Sequence, residues 1–337
     1  MKEALFFERL GDKQVRCGLC RHRCTIGEGR RGICGVRENR DGTLFSLVYG
    51  RVVAENIDPV EKKPLYHFQP GSISYSIATV GCNFRCKHCQ NYSISQVPAG
   101  VSEIPGTRRT PEEIVRRAGA MGCRSISFTY TEPTIFFEFA YDTAKCAREA
   151  GLKTIFVTNG YITPEALEMI TPYLDAANID LKGFSDRFYR EVVGARLDGV
   201  LDTIRDYRRR GIWIEITTLV IPGLNDSDKE LADIARFIAD DLGSDVPWHV
   251  SRFHPTYLLT DRPPTPVETL QKAFDIGREA GLRYIYVGNV IGTGGENTEC
   301  PGCGEVLIER SGFSIRANRL YSGKCPVCAA AISGIDL

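Results

Sequence analysis

From Ser74 onward, short runs rich in β-branched and aromatic residues alternate with longer stretches whose apolar positions recur every three or four residues. The runs predict strands over Ser74–Val80, Ser125–Thr131, Lys153–Thr158, Ala177–Leu181, Ile212–Ile221, His249–His254 and Tyr284–Gly288. The longer stretches predict helices over Pro111–Met121, Thr134–Ala150, Pro164–Ile170, Val200–Arg210, Asp228–Asp240 and Pro266–Ala280. Pro111 and Pro164 each follow a Thr, an N-cap residue followed by a good first helical residue. Alternation of this kind implies βαβ units, right-handed crossovers and a parallel sheet. Six or seven units are too many for a mononucleotide fold and too few for a closed eight-fold barrel. The expected class is therefore α/β, a partial (β/α) barrel of roughly six parallel strands.

Chemistry in such barrels sits at the carboxyl ends of the strands. The first strand runs into Cys82, Cys86 and Cys89, and the second into Thr129-Tyr130-Thr131-Glu132-Pro133-Thr134. The third ends in Val157-Thr158-Asn159-Gly160 and the fourth in Asp180-Leu181-Lys182-Gly183. The fifth ends in Ile221-Pro222-Gly223-Leu224-Asn225-Asp226, and the sixth in Arg252-Phe253-His254-Pro255. Any one polar loop is an ordinary turn. Five in succession beside a cysteine loop predict an active rim.

Composition narrows the classes. The chain has 337 residues, 42 basic and 42 acidic, so its zero formal charge gives no case for bulk nucleic-acid or anionic-membrane binding. No apolar stretch is long enough to span a bilayer, and the start, Met1 to Arg9, carries acids where a signal peptide needs an apolar run. A cytoplasmic location is expected. Thirteen cysteines there read as metal or redox ligands rather than disulfides. Cys123 and Cys146 follow or lie within helical patterns and read as small buried hydrophobes. The other eleven form three groups, which divide the chain into a cysteine-rich lead-in (1–70), the barrel (71–292) and a terminal cysteine module (293–337).

The central group is Cys82-x3-Cys86-x2-Cys89. Three thiolates cannot fill the four cysteine corners that a 4Fe–4S cube normally uses. The spacing predicts a cube held at three irons, with the fourth open to a non-protein ligand. A zinc site completed by His88 is the alternative. It is disfavoured by Phe84 between the first two cysteines and by the β-rich run leading in. The last group, Cys300-Pro-Gly-Cys303 and Cys325-Pro-Val-Cys328, has the two knuckles of a structural zinc ribbon. A rubredoxin-like iron site or an auxiliary cluster is the competitor. The first group, Cys17-x2-Cys20-x3-Cys24-x9-Cys34, could hold zinc or a second 4Fe–4S cluster. Its arginine-rich surroundings suit either, and the reading leans to zinc, with His22 a bystander at the surface.

The Cys82–Cys89 loop and the rim around it resemble the radical S-adenosylmethionine (SAM) enzymes of the pyruvate formate-lyase activating type, over roughly 74–290. The resemblance implies that the open iron chelates SAM, which an electron splits to methionine and a 5′-deoxyadenosyl radical that abstracts a substrate hydrogen. It carries the SAM amino-group segment onto Glu132 and Pro133, although both glycines of that segment are replaced by Tyr130 and Thr131. A second SAM-binding loop maps to Thr158 and Asn159, with Val157 where the family has an acid. Asp180 and Lys182 match a further segment in which the lysine reaches a carboxylate, and His254 matches a histidine near the ribose. Together with Asp58–Phe68 and both outer cysteine groups, the layout resembles the radical SAM enzymes of the AmmeMemoRadiSam system. That implies Memo-like and AMMECR-type partner proteins, beside an electron donor such as ferredoxin or flavodoxin. The rivals are a glycyl radical enzyme activase, and a non-catalytic metal-binding or nucleic-acid adaptor built on the cysteine modules.

Overall fold

The computed structural model describes residues 1–96, 103–290 and 294–337. Its centre is an eight-stranded sheet whose strands lie side by side in chain order. They are β1 (Ala54–Pro59), β2 (Ile73–Ala78), β3 (Ser125–Phe128), β4 (Lys153–Thr158), β5 (Ala176–Asp180), β6 (Trp213–Val220), β7 (Trp248–Arg252) and β8 (Ile285–Gly288). β2 to β8 are parallel, and β1 is antiparallel to β2, with Ala54 opposite Ala78 and Pro59 opposite Ile73. The sheet does not close, since β1 and β8 are its two edges. An open α/β barrel is thus what forms, with seven parallel strands where roughly six are predicted and one antiparallel edge strand that the pattern of Ala54–Pro59 does not announce.

The crossover helices are α1 (Pro111–Ala120), α2 (Phe137–Glu149), α3 (Pro164–Ile170), α4 (Leu197–Arg209), α5 (Asp228–Arg236) and α6 (Val267–Glu279). α1 begins at a capping box: Thr110 Oγ1 accepts from the Glu113 N–H (3.2 Å) and Glu113 Oε2 accepts from the Thr110 N–H (2.9 Å). Two helices differ from expectation. The stretch from Thr134 opens as a separate 3-10 turn, Pro133–Phe136, capped by Glu132, before α2 starts. α5 runs into a wider π turn over Phe237–Leu242 and stops at Gly243, whose φ of 112° an L side chain resists.

Alternation along the strands sends aliphatic residues such as Ile214 and Ile216 to one face and polar ones to the other. The inner polar face is hydrogen-bonded across strands: Ser74 to Ser127 (2.6 Å), Asn178 to Thr217 (2.9 Å) and His249 to Glu215 (2.7 Å). A closed barrel usually fills this space with branched aliphatic side chains. Here the interior is polar.

The two flanking regions attach differently. Residues of the first fifty, among them Val15, Leu19, Ile26 and Val36, enter the same apolar core as the barrel. A buried Arg37–Glu138 pair on α2 (2.7 and 3.0 Å) anchors them. The lead-in is therefore fused to the barrel rather than tethered beside it. The terminal region forms its own antiparallel sheet (Thr298–Glu299, Val306–Ser311, Ser314–Asn318) over a small separate core with Tyr66, Tyr284, Tyr286 and Leu307. The expected boundary at 292–293 lies outside the described residues. Among the described residues, no helix is long and apolar enough to cross a membrane.

Candidate active site

Beyond the carboxyl end of β2 the chain turns through Gly81 into the cysteine loop. Gly81 has φ of 100°, and a Cβ there would lie 2.7 Å from Val36 Cγ1 and 2.9 Å from the Cys34 carbonyl oxygen. Only glycine lets the loop lie this close to the N-terminal region. The loop backbone is then held from two sides. Arg85 and Lys87 N–H groups donate to the carbonyls of Val193 (2.8 Å) and Val192 (2.9 Å), and the Arg85 guanidinium donates to the Ile33, Cys82 and Phe84 carbonyls.

Cys82 and Cys86 are buried and Cys89 is partly so. Donors surround the sulfurs. Cys82 Sγ accepts from the Phe84 N–H (3.4 Å) and from Asn159 Nδ2 (3.3 Å), and Cys89 Sγ lies 3.1 Å from Ser95 Oγ. Burial pushes the Cys82 thiol up, followed by the Glu132 carboxylate, against the Phe84 and Asn159 donors. Burial likewise raises Cys86 to about 11, while the Lys182 ammonium beside it pulls the other way. Burial thus favours the protonated form of both thiols, and a bound cation would favour the thiolates instead.

Spacing decides what cation. Four thiolates around one tetrahedral ion at about 2.3 Å sit about 3.8 Å apart. Among the described residues, only Cys300, Cys303, Cys325 and Cys328 bring three or more ligand atoms of His, Cys, Asp or Glu within 4.8 Å of one another. Cys82, Cys86, Cys89 and His88 do not, so the zinc arrangement through His88 is not formed. His88 is instead buried against the Phe188 ring, and burial holds it neutral down to about 3, with Lys182 pushing the same way. Thiols on one loop that are not gathered within 4.8 Å of one another, with N–H and O–H groups at Cys82 and Cys89, fit a multi-iron cluster.

The strand ends place the remaining predicted residues. Glu132 is 1% exposed and its carboxylate is filled by protein donors. Oε1 accepts from the Thr134 N–H (3.0 Å), Thr134 Oγ1 (2.5 Å) and Thr158 Oγ1 (2.8 Å), and Oε2 accepts from the Asn159 N–H (2.7 Å). Glu132 thus ties the end of β4 to the turn after β3, and Pro133 opens the 3-10 turn that this cap fixes. Burial raises the Glu132 carboxyl in spite of these donors. Asn159, held by Glu132, also donates to Asn83 Oδ1 (3.0 Å). Asp180 and Lys182 pair with each other (2.8 Å) after β5. Burial works against the Lys182 ammonium, but Asp180 and Cys86 raise its pKa and keep it charged. His254 is exposed, two residues beyond the end of β7.

The structure therefore draws Glu132, Thr158, Asn159 and Cys82 into one hydrogen-bonded group, and Lys182 with Asp180 into another beside Cys86. Sequence reasoning misses Asn83, Ser95, Phe84 N–H and Gly81. Nothing in a local pattern marks a serine six residues past the last cysteine as its partner. His22, expected at the surface, is half-buried: its Nε2 meets the Asn83 carbonyl at 2.8 Å, and burial lowers its pKa. The terminal quartet is tight, with Cys300 and Cys328 Sγ 3.5 Å apart and Cys303 and Cys325 3.7 Å apart. It can hold one metal ion.

Comparison with known proteins follows the same lines. The Radical SAM superfamily profile matches residues 76–237. An uncharacterized protein of Methanocaldococcus jannaschii is 49% identical over 98% of this chain and 99% of its own length. Pyruvate formate-lyase-activating enzyme of Clostridium pasteurianum is 26% identical over 47% of this chain and 66% of its own. Among solved structures, a radical SAM methyltransferase from Sphaerobacter thermophilus aligns with a TM-score of 0.50 at 18% identity, covering 65% of this chain and 67% of that one, a likeness of fold alone. With a matching profile across the cysteine loop and strands β2 to β6, the chain belongs to the Radical SAM superfamily.

Proposed function

We propose that this chain is a radical SAM enzyme in which Cys82, Cys86 and Cys89 hold a 4Fe–4S cluster at three irons and leave the fourth for SAM. The observation that carries the reading is three thiols on one loop, Cys82 and Cys86 buried and Cys89 partly so, that are not drawn to single-ion spacing, with donors at Cys82 and Cys89. When bound, the cluster supplies the electron that splits SAM into methionine and a 5′-deoxyadenosyl radical, which takes a hydrogen atom from the substrate.

The rest is the work of this chain's residues. Asn159 and Phe84 N–H stabilise thiolate charge at Cys82, and Ser95 does so at Cys89. Lys182, charged and beside Cys86, is suited to meet the SAM carboxylate. Because Glu132 already accepts four hydrogen bonds, three on Oε1 and one on Oε2, we assign it with Pro133 and Thr158 to shaping the rim, and leave the SAM ammonium to strand-end carbonyls. Asp180 orients Lys182, and His254 stands at the rim for the ribose. The terminal quartet is read as a structural zinc site.

The end-to-end layout supports Memo-like and AMMECR-type partners, with a ferredoxin or flavodoxin as electron donor. Thirteen unpaired thiols suit the cytoplasm. The substrate is then presented in company with those partners. A second reading, a glycyl radical enzyme activase, is favoured by the likeness to the pyruvate formate-lyase-activating enzyme.

Reconstituted, dithionite-reduced protein should convert SAM to 5′-deoxyadenosine, measured by chromatography. The Cys82→Ala/Cys86→Ala/Cys89→Ala variant should not, and undiminished conversion by it would refute the assignment. Incubation of the reduced protein and SAM with a candidate glycyl radical enzyme separates the two readings: a glycyl EPR doublet selects the activase.

A further inference from the structure

The four N-terminal thiols are not absorbed by that reading. Cys17 leaves a short hairpin strand (Val15–Cys17) and Cys24 leads into its partner (Thr25–Ile26), while Cys20 bridges to Ile162 beyond the carboxyl end of β4. Together with Cys34 they line one largely enclosed cavity, whose wall also includes Arg37 and Asn83. Asn83 is the residue after Cys82, and its carbonyl meets His22 Nε2. The cavity therefore shares a wall with the active site.

Two observations say what it holds. No three of its sulfurs lie within 4.8 Å of one another, whereas the terminal quartet of the same chain is drawn to single-ion spacing. Four thiols that converge on one cavity yet stay apart require something wider than an ion. In addition, Arg37 Nε and Asn83 Nδ2 are buried N–H groups without a hydrogen-bond partner, on residues 2% and 0% exposed. A buried donor left unmade costs about 1–3 kcal/mol, and more on a charged group. Two on one cavity wall are explained by an anion there. Inorganic sulfides and thiolates around iron present that negative, acceptor-rich surface.

We propose that Cys17, Cys20, Cys24 and Cys34 hold a second iron–sulfur cluster rather than a single metal ion, with Arg37 and Asn83 donating to its sulfurs. The leaning of the sequence toward zinc at this quartet is replaced. The site stands on its own residues, so it does not depend on the radical SAM reading.

The test counts iron, acid-labile sulfide and zinc per chain after anaerobic reconstitution of the full chain. Wild type should carry about twice the iron and sulfide of the Cys82→Ala/Cys86→Ala/Cys89→Ala variant. That variant should keep equal amounts of iron and sulfide and its visible charge-transfer absorbance. Adding Cys17→Ser and Cys34→Ser should remove both while leaving the zinc count unchanged. A triple variant with no iron, or with one extra zinc in its place, would overturn the proposal. The wild-type count covers the case in which the multiple variants fail to fold: iron sufficient for only one cluster overturns it too. Wild-type protein that carries the second cluster yet fails to cleave SAM would instead count against the radical SAM reading alone.

Discussion

The two outer cysteine quartets use the same residue type and each opens on a C-x2-C turn, yet the barrel puts them at opposite ends and holds them differently. The terminal quartet packs at the amino ends of β6 to β8, where Arg310 donates to the Tyr66 carbonyl (2.9 Å) and His67 Nε2 meets the Tyr286 hydroxyl (2.6 Å). Its sulfurs nearly touch. The N-terminal quartet lies at the carboxyl ends, against the Cys82 loop, with its sulfurs spread around a cavity. A CxxC turn thus delivers two thiolates and no more. The fold around it sets how far the other two thiols stand from that pair, and so whether an ion or a cluster fits.

If the amino end is structural and the carboxyl end chemical, variants should sort accordingly. The largest effect belongs to Cys300→Ser with Cys303→Ser. Loss of the metal ion that this quartet can hold should cost roughly 5 kcal/mol or more, read in denaturant melts, because binding of a structural metal contributes directly to folding. Iron content should not change in the fraction that stays folded. An unaltered melt would break the comparison from the structural side.

Next comes acid. Burial holds His67 down at about 4, outweighing the nearby Glu215 carboxylate that pulls it up. Between the ordinary histidine value of about 6.5 and 4, the unfolded chain binds a proton that the folded chain refuses. Stability is therefore full above this window and falls as pH drops through it, by about 3 kcal/mol at most from this residue. Denaturant melts at pH 7 and 4.5 should show the loss, and His67→Gln should flatten it. An identical pH slope in both proteins would assign the acid sensitivity elsewhere.

At the carboxyl end, Gly81→Ala forces a side chain onto Val36 and the Cys34 carbonyl in a conformation that alanine resists. About 2 kcal/mol should be lost, and cluster occupancy should fall with it. The smallest effect is electronic. Asn159→Ala removes the Nδ2 donor from Cys82 Sγ, about 1 kcal/mol. It should shift the cluster's midpoint potential downward in an EPR titration, with little change in the melt.

Much of this was legible in the chain. The β and helical periods of the barrel, and the polar strand ends of its rim, depend on local alternation, and Lys153–Thr158 and Pro164–Ile170 fall on their predicted bounds. The edge strand Ala54–Pro59 was not legible, because a polar run ending in proline has no inward stripe. Nor was the strut role of Glu132, whose partners lie up to 27 positions away, or the fused N-terminal region, whose Arg37–Glu138 anchor spans 101. Contacts of that range leave no periodic trace.

The open corner is the centre of the account. Mössbauer spectra of iron-57 protein, with and without SAM, test it most directly. One iron per chain should change its isomer shift when SAM is added, and none in the Cys82→Ala/Cys86→Ala/Cys89→Ala variant. A wild-type spectrum that SAM leaves untouched would contradict a cluster held at three corners by Cys82, Cys86 and Cys89.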